Sequence, residues 1–145
     1  MPITTGQAGI LFSCFVAWFL AQATKAILYM ITHRKFNLVQ AIFATGGMPS
    51  GHAASVAALV TAIFLYEGLS TAFAVAAILM FVTLRDAVGV RLAAGEHAQI
   101  INELMAKANL ERPALHIDHG HTTAEVVVGI VVGIVAGAIV MTLVG

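Results

Sequence analysis

Gly46-Gly47-Met48-Pro49-Ser50-Gly51-His52 is the stretch on which the predicted fold depends, because it joins a polar loop to a long apolar run. Pro49 fits near the first turn of a helix, where a missing N–H costs little, and Ser50 can cap that helix. The N–H groups of a helix start attract anions. The stretch therefore predicts a helix that begins beside His52, at a place where a phosphate group can bind. A capped helix with a histidine at a membrane surface explains the same residues without a ligand.

Composition defines the class of protein. Of the 145 residues, 60% are hydrophobic and 10% are charged, and the mean hydropathy is +0.96. A soluble domain has about 45–50% apolar and about 25% charged residues, so this is an integral membrane protein. The formal net charge is zero, which argues against a nucleic-acid partner. A single cysteine, Cys14, cannot form a disulfide within one chain. We expect one domain over residues 1–145 and no removed signal peptide.

Four apolar runs approach the length that crosses a bilayer, and they cover approximately residues 10–31, 51–66, 71–84 and 121–143. A fifth segment, approximately residues 96–108, alternates apolar and polar residues at helical spacing and predicts a surface helix. The predicted fold is therefore an all-α integral membrane bundle of four transmembrane helices plus a short amphipathic surface helix.

Glycines repeat at every fourth position of the last run, at Gly129, Gly133 and Gly137. Such a stripe of small residues is typical of a face that packs closely against another helix in lipid. Two further steps of four toward the N-terminus reach Glu125 and His121. Both polar side chains are therefore predicted to lie near the packed face.

Loop charges predict the topology. Arg34 and Lys35 lie in the first loop and most other charges lie in the third, while the second loop and both termini have almost no basic residues. Positive-inside counting places the first and third loops in the cytoplasm and both termini outside. One set of polar residues then meets on the cytoplasmic side: His52, Asp86, Arg91, His121 and Glu125, approached from the same end by Lys25.

These residues match the requirements of phosphoryl transfer through a phosphohistidine. His121 is the predicted nucleophile, and Glu125, one helical turn on, would accept its other N–H and fix the tautomer. His52 would protonate the leaving alcohol. Lys25 and Arg91 would neutralise charge on the phosphoryl oxygens.

Further residues are predicted to support the same site. Ser50, Thr122 and the N–H groups of the helix start would donate hydrogen bonds to the phosphate. Gln22 lies three residues from Lys25, on the same helical face. Lys25 either belongs to the site or extends toward the membrane surface. Asp86 either serves the site or simply pairs with a neighbouring arginine, Arg85 or Arg91.

The sequence from Pro49 to His52 resembles the P-S-G-H signature of the phosphatidic-acid phosphatase type 2 superfamily, which contains lipid phosphatases, acid phosphatases and vanadium haloperoxidases. The wider pattern is similar to its small divergent membrane branch, related to acid phosphatases and vanadium-dependent haloperoxidases. The matching pieces occur in order along nearly the whole chain: residues 46–52, residues 86–95, Asn102, residues 120–122 and residues 125–126. The resemblance adds Gly51 to the phosphate-binding set and Asn102 to the supporting set.

The resemblance implies a metal-free phosphatase without a cofactor, inhibited by vanadate. With the cytoplasmic side that the loop charges give the site, we expect a multi-pass protein of the inner (plasma) membrane. The resemblance also implies a lipid phosphate substrate, such as phosphatidylglycerol phosphate, phosphatidic acid or a prenyl phosphate. The chain departs from the family pattern, because Arg34 is nine residues after Lys25 with no proline following and no Ser-Arg pair precedes His121. Arg91 or Arg112 would replace the missing arginine, and Arg91 lies in a matching segment. Four spans are fewer than the usual six-helix core, which favours a homodimer.

Two other functions fit the sequence. The first is a metal-dependent hydrolase, because four potential metal ligands lie within the six residues His116-Ile117-Asp118-His119-Gly120-His121, with His97 and His33 on the same side. Alternatively, the charged pocket binds or translocates a lipid headgroup without turnover, since a fold does not fix a function.

Overall fold

A computed structural model describes residues 4–33, 47–117 and 120–144, and all regular structure in these ranges is helical. This confirms the predicted all-α class. The helices are α1 (Thr5–His33), α2 (Gly51–Glu67), α3 (Thr71–Val88), α4 (Val90–Lys107) and α5 (Thr123–Val144). α1 and α5 are long and apolar enough to cross a membrane, as is the stretch that contains α3 and α4, whereas α2 is a shorter apolar helix of 17 residues. Such a length is near the lower limit for a span.

Serine side chains cap two of the helices, as the sequence predicts. The Ser50 hydroxyl accepts the N–H of Ala53 at the start of α2 (3.4 Å), and the Ser70 hydroxyl accepts the N–H of Phe73 at the start of α3 (3.1 Å). Pro49 precedes the cap instead of occupying the first turn. Its missing N–H therefore removes no helical hydrogen bond, and the N–H groups of the first turn stay available at the start of α2.

α2 occupies the centre of the bundle and packs against α1, α3 and α5. The predicted glycine stripe of α5 forms its tightest contact. A Cβ atom on Gly129 would lie 2.5 Å from the Ser50 carbonyl oxygen, one on Gly133 would overlap the Ala54 carbonyl, and one on Gly137 would lie 3.0 Å from the Ala58 carbonyl. The positions of these glycines and of the residues they contact increase together in steps of four, so α2 and α5 run parallel. Their N-termini lie at one end of the bundle, which we call the site end.

α1 runs antiparallel to α2 and α5. Near its start, the Thr4 hydroxyl hydrogen-bonds with the Tyr66 hydroxyl (3.1 Å), and a Cβ on Gly9 would lie 3.0 Å from the side chain of Val144. Toward the site end, a Cβ on Gly51 would be 3.5 Å from Trp18 and 3.6 Å from the Gln22 side-chain oxygen. α1 therefore begins beside the C-terminal ends of α2 and α5 and extends beyond the start of α2.

The chain breaks its helix at Gly89, between α3 and α4. One prediction is corrected here. The amphipathic helix begins at Val90 rather than near residue 96. The break follows from Gly89, where a Cβ would lie 2.7 Å from the Arg85 carbonyl oxygen. Among the described helices, α4 contacts only α3.

Candidate functional site

His121 lies directly before α5 and is buried, with 2% of its surface exposed. The sequence places it at the start of the last apolar run, whereas the helix itself begins at Thr123. Its backbone N–H donates to the Ala87 carbonyl oxygen near the end of α3 (3.1 Å). The preceding Gly120 passes so close to the backbone of Leu92 that no Cβ would fit. Two helices thereby fix the segment that holds the imidazole.

Glu125 both orients this imidazole and caps α5. Its Oε2 atom accepts the Nδ1–H of His121 (3.2 Å) and the backbone N–H of Thr122 (2.9 Å), and the Glu125 N–H donates to the Thr122 hydroxyl (3.3 Å). The two reciprocal bonds between Thr122 and Glu125 form a capping box. The carboxylate is thus held on the imidazole by the helix start itself.

The hydrogen bond to Glu125 determines the state of the His121 ring. A carboxylate only accepts, so Nδ1 carries the proton and Nε2 carries a free lone pair. Nε2 is buried and has no hydrogen-bond partner among the described residues. An unsatisfied buried polar atom costs about 1–3 kcal/mol, which marks it as a candidate for a functional role.

Burial lowers the pKa of His121 below its ordinary value, and this effect outweighs the hydrogen bond to Glu125, which raises it. The charges of Lys25 and His52 lower the pKa further. A lowered pKa keeps the ring neutral and its Nε2 lone pair available near neutral pH.

The starts of α2 and α5 meet at the site end. The Ser50 N–H donates to the Glu125 carbonyl oxygen (3.0 Å), which joins the two helix starts directly. Because the helices are parallel, the positive ends of both helix dipoles face the same region, and that region favours an anion. Ser50 is fully buried, and its hydroxyl oxygen accepts the capping hydrogen bond from the Ala53 N–H.

Lys25 supplies a buried cation. It ends a row on α1, at every fourth position, that also contains Ser13, Ala17 and Ala21, all of them buried. With 8% of its surface exposed, Lys25 faces protein rather than extending to the membrane surface. Its charge acts on both His121 and His52. Gln22, one turn earlier, lies beside Gly51.

His52 lies in the first turn of α2 and is exposed, in contrast to His121. The charges of Arg91, Lys25 and Asp86 act on it. Arg91 donates from Nε to the Asp86 carboxylate in an ion pair that bridges the break at Gly89. Of the two pairings left open by the sequence, the structure has the one with Arg91. Both side chains stay accessible, at 45% and 39% exposure.

Asn102 has a different environment from the other predicted site residues. Its side-chain amide donates to the Leu115 carbonyl oxygen (2.9 Å), and its side-chain oxygen accepts the Leu115 N–H (2.8 Å). Asn102 thus holds the segment after α4 against that helix. The other predicted site residues lie at the site end: Gln22, Lys25, Ser50, Gly51, His52, Asp86, Arg91, His121, Thr122 and Glu125.

The metal-site alternative depends partly on residues outside the described ranges, namely Asp118 and His119. Within those ranges, no three histidine, cysteine, aspartate or glutamate side chains lie close enough to hold a metal ion. The basic residues of the first loop, Arg34 and Lys35, also lie outside the described ranges, and so does the side chain of His33.

Sequence reasoning missed Ala87 and Trp18 as contributors to the site, and it noted Gly120 only as part of a matching motif. Ala87 acts through its carbonyl oxygen, which no side-chain pattern reveals. Gly120 directly precedes the candidate nucleophile, and its close approach to Leu92 is a reason for glycine at that position. Trp18 lies against Gly51, a contact that requires knowledge of how α1 and α2 align.

Comparisons of the sequence with known proteins give a matching family and a curated relative. The family model described as "Divergent PAP2 family" matches residues 7–136. A membrane protein of Bacillus subtilis (strain 168), YuiD, described as uncharacterized, is 44% identical over 100 residues, which is 68% of this chain. The match spans 63% of that protein's length. No solved structure matches the chain significantly.

Proposed function

We propose a function from the premise that this chain belongs to the Divergent PAP2 family. The protein is a multi-pass membrane phosphatase that hydrolyses a lipid phosphomonoester through a phosphohistidine intermediate. The observation that best supports this proposal is the buried Nε2 of His121, which has a lone pair but no hydrogen-bond partner among the described residues. A nitrogen in this state suits nucleophilic attack.

The reaction proceeds in two steps. Nε2 of His121 attacks phosphorus and the bond from phosphorus to the lipid oxygen breaks, while protonated His52 gives its proton to that oxygen. The lipid alcohol then leaves, and His121 carries the phosphoryl group as an imidazolium whose Nδ1–H stays bonded to Glu125. Water next attacks phosphorus and gives a proton to His52, while the bond from phosphorus to Nε2 of His121 breaks and returns its electron pair to Nε2. Inorganic phosphate departs, and both histidines return to their starting states.

Charge compensation comes from both side chains and backbone. Lys25 is buried beside the two histidines, and the helix starts of α2 and α5 provide N–H groups and dipoles. Preorganised donors of this kind stabilise the charge that develops on the phosphoryl oxygens. Arg91 is the second cation, and Asp86 holds it near the exposed His52.

The candidate substrates are phosphatidylglycerol phosphate, phosphatidic acid and prenyl phosphates. The positive-inside prediction gives the site a cytoplasmic orientation in the inner (plasma) membrane. A homodimer remains a prediction. So does the absence of a metal or other cofactor.

A lipid-headgroup binding or translocating protein without turnover is the second candidate. It is favoured by the ion pair of Arg91, because an arginine already neutralised by Asp86 gives less charge compensation in a transition state. A metal-dependent hydrolase is the third candidate and depends on the histidine-rich segment before α5.

Phosphate release by the purified protein tests these candidates. We expect release from lipid phosphates in the presence of a chelator, inhibition by vanadate, and loss of release in His121→Ala. His97→Ala is the matched control, since His97 is an exposed histidine of α4. Lipid binding without release would support the headgroup-binding candidate, and loss of release in chelator would support the metal-dependent one.

His52→Ala separates acid catalysis from anion binding. We expect kcat to fall by about 10²-fold or more, the usual contribution of a general acid, with a smaller loss of vanadate affinity. Equal losses of both would mean that His52 only holds the anion.

A further inference from the structure

The chain turns back at the end of α4. Asn109 has a φ of 51°, a left-handed conformation that asparagine adopts more readily than most residues. The N–H of Leu110 donates to the Met105 carbonyl oxygen (3.0 Å), and the N–H of Asn109 donates to the Ala106 carbonyl oxygen (3.2 Å). These two bonds form a Schellman motif, which closes the helix. We call residues 109–117 the return segment, because they lead back toward the start of α5.

Asn102 holds the return segment on α4. Its side-chain amide donates to the Leu115 carbonyl oxygen (2.9 Å), and its side-chain oxygen accepts the Leu115 N–H (2.8 Å). An amide that both donates and accepts can satisfy a whole residue of backbone, so this contact fixes the main chain rather than a side chain. The return segment is thereby fastened to the second half of α4.

The chain contacts α4 a second time just before His121. Gly120 lies so close to the Leu92 backbone that no Cβ would fit. Leu92 and Asn102 are ten residues apart on α4, or about 15 Å. Since the later residue of the chain meets the earlier residue of the helix, the order of the two contacts is antiparallel to α4.

Both contacts lie on the packed face of α4. Gly95 and Ala98 occupy the positions between Leu92 and Asn102 at spacings of three and four, so the four residues share a face. Gly95 and Ala98 are buried, whereas Ile101, on another face, is 44% exposed. Asn102 therefore faces the protein, in a position to hold the chain that returns along this helix.

The position of His121 depends on where this returning chain ends. The His121 ring is 2% exposed, and its backbone N–H donates to the Ala87 carbonyl oxygen (3.1 Å). Ala87 and Leu92 lie on either side of the break between α3 and α4, so the backbone before α5 contacts both helices there. If Asn102 no longer held the return segment, the close contact between Gly120 and Leu92 would loosen with it.

We propose that Asn102 is a positioning residue of the site, which keeps the His121 ring in its buried position by fastening the return segment to α4. Both ends of its side-chain amide bond to Leu115, so Asn102 acts through the backbone of that segment. α4 thus contributes Arg91 directly and the position of His121 indirectly. The effect on rate rests on the proposed function, whereas the effect on the position of the ring does not.

Titration of His121 tests the position without any substrate. Burial is the main reason that the pKa of His121 is low, so in Asn102→Ala the midpoint should rise toward the ordinary value of about 6.5. Histidine ¹⁵N NMR in detergent measures it. The charged groups that act on the ring, Glu125, Lys25 and His52, lie on other helices and stay in place. An unchanged midpoint in the folded variant would overturn the proposal.

Two further variants separate the hydrogen bonds from the stability of α4. Asn102→Asp keeps the shape of the side chain, but an ionised carboxylate cannot donate to the Leu115 carbonyl oxygen, so it should also raise the midpoint. It replaces Asn102→Ala if that variant does not fold. Gln99→Ala is the matched control, because Gln99 is an exposed amide of α4 that bonds to Glu103 instead. An equal shift in Gln99→Ala would overturn the specific role of Asn102.

Kinetics with phosphatidic acid in mixed micelles tests the effect on rate. We expect kcat and kcat/KM of Asn102→Ala to fall together by about tenfold or more, because a displaced nucleophile reacts more slowly while Lys25 still holds the phosphate. A higher KM with an unchanged kcat would overturn the positioning role. Absence of phosphate release from the parent protein would overturn the proposed function alone, and the His121 titration would still decide the role of Asn102.

Discussion

At the scale of single residues, Glu125 connects chemistry with folding. One of its oxygens holds the His121 ring and the same oxygen caps α5. Its spacing of four from His121 was sufficient to predict the first contact. The cap was not predicted, because the sequence does not reveal that the helix begins at Thr123 and leaves His121 outside it. Because the carboxylate that orients the His121 ring also caps α5, the tautomer of that ring is a consequence of the fold.

Glu125→Gln should lower kcat without unfolding the protein. The amide can still accept the Thr122 N–H and so keep the cap, but it no longer stabilises the imidazolium that forms during attack. We expect a loss of about 10²-fold or more in phosphate release, with a melting temperature close to that of the parent. Glu103→Gln, an exposed glutamate of α4, is the control. An unchanged rate in Glu125→Gln would remove Glu125 from the mechanism.

His121 should gain its proton at a lower pH than an ordinary histidine, because burial lowers its pKa. Its pKa lies below the ordinary value of about 6.5, chiefly because it is buried, so the ring gains its proton only when the pH falls further. Histidine ¹⁵N NMR of the protein in detergent, with His121→Ala to identify the signal, measures this titration. A midpoint above the ordinary value would contradict the neutral nucleophile. Burial of this kind depends on Ala87 and Leu92, which no spacing in the sequence relates to His121.

At the scale of elements, the glycine stripe was predictable and its partner was not. Steps of four identify a close-packed face on α5, but several apolar helices could have received it. The structure assigns α2, whose alanines supply a matching small surface. The start of α4 was mispredicted because residues 90–95 are apolar or small apart from Arg91 and no side chain caps the helix, so only the break at Gly89 separates the two helices.

Gly133 should tolerate substitution least. A methyl group there would overlap the Ala54 carbonyl, whereas one on Gly137 would lie 3.0 Å from the Ala58 carbonyl. Gly133→Ala should therefore destabilise the bundle by about 1–3 kcal/mol, as overpacking usually does, and Gly137→Ala by less. Gly133→Leu should disrupt packing altogether. Thermal unfolding in detergent measures the relative stability of these variants. Equal stability of both alanine variants would place Gly133 outside the interface.

At the scale of the whole molecule, the directions of the helices agree with a chain that crosses the membrane an even number of times. The start of α1 and the end of α5 lie at the same end of the bundle, opposite the site end. Hydropathy and loop charge predicted this arrangement. They could not predict that α2 starts beside Trp18 and Gln22 of α1, since that depends on how the two helices align.

The membrane sidedness is open to a direct test. We expect Thr4 outside the cell, so in a Cys14→Ser background, Thr4→Cys should react with an impermeant thiol reagent in intact cells. Arg112→Cys, in the segment after α4, should react only after the membrane is opened. The reverse pattern would turn the site toward the outside. Cys14 itself lies within α1 and must be removed first.

The parallel pairing of α2 with α5 has a consequence for biosynthesis. Parallel neighbours need a crossover, and here everything from Gly68 to Thr122 is the crossover. During synthesis α2 enters the membrane long before its glycine-lined counterpart exists, with its alanine face open to lipid or to a temporary companion. His52 and His121 of the proposed site can meet only after α5 has been inserted, so under the proposed function a nascent chain does not yet hydrolyse the surrounding lipids.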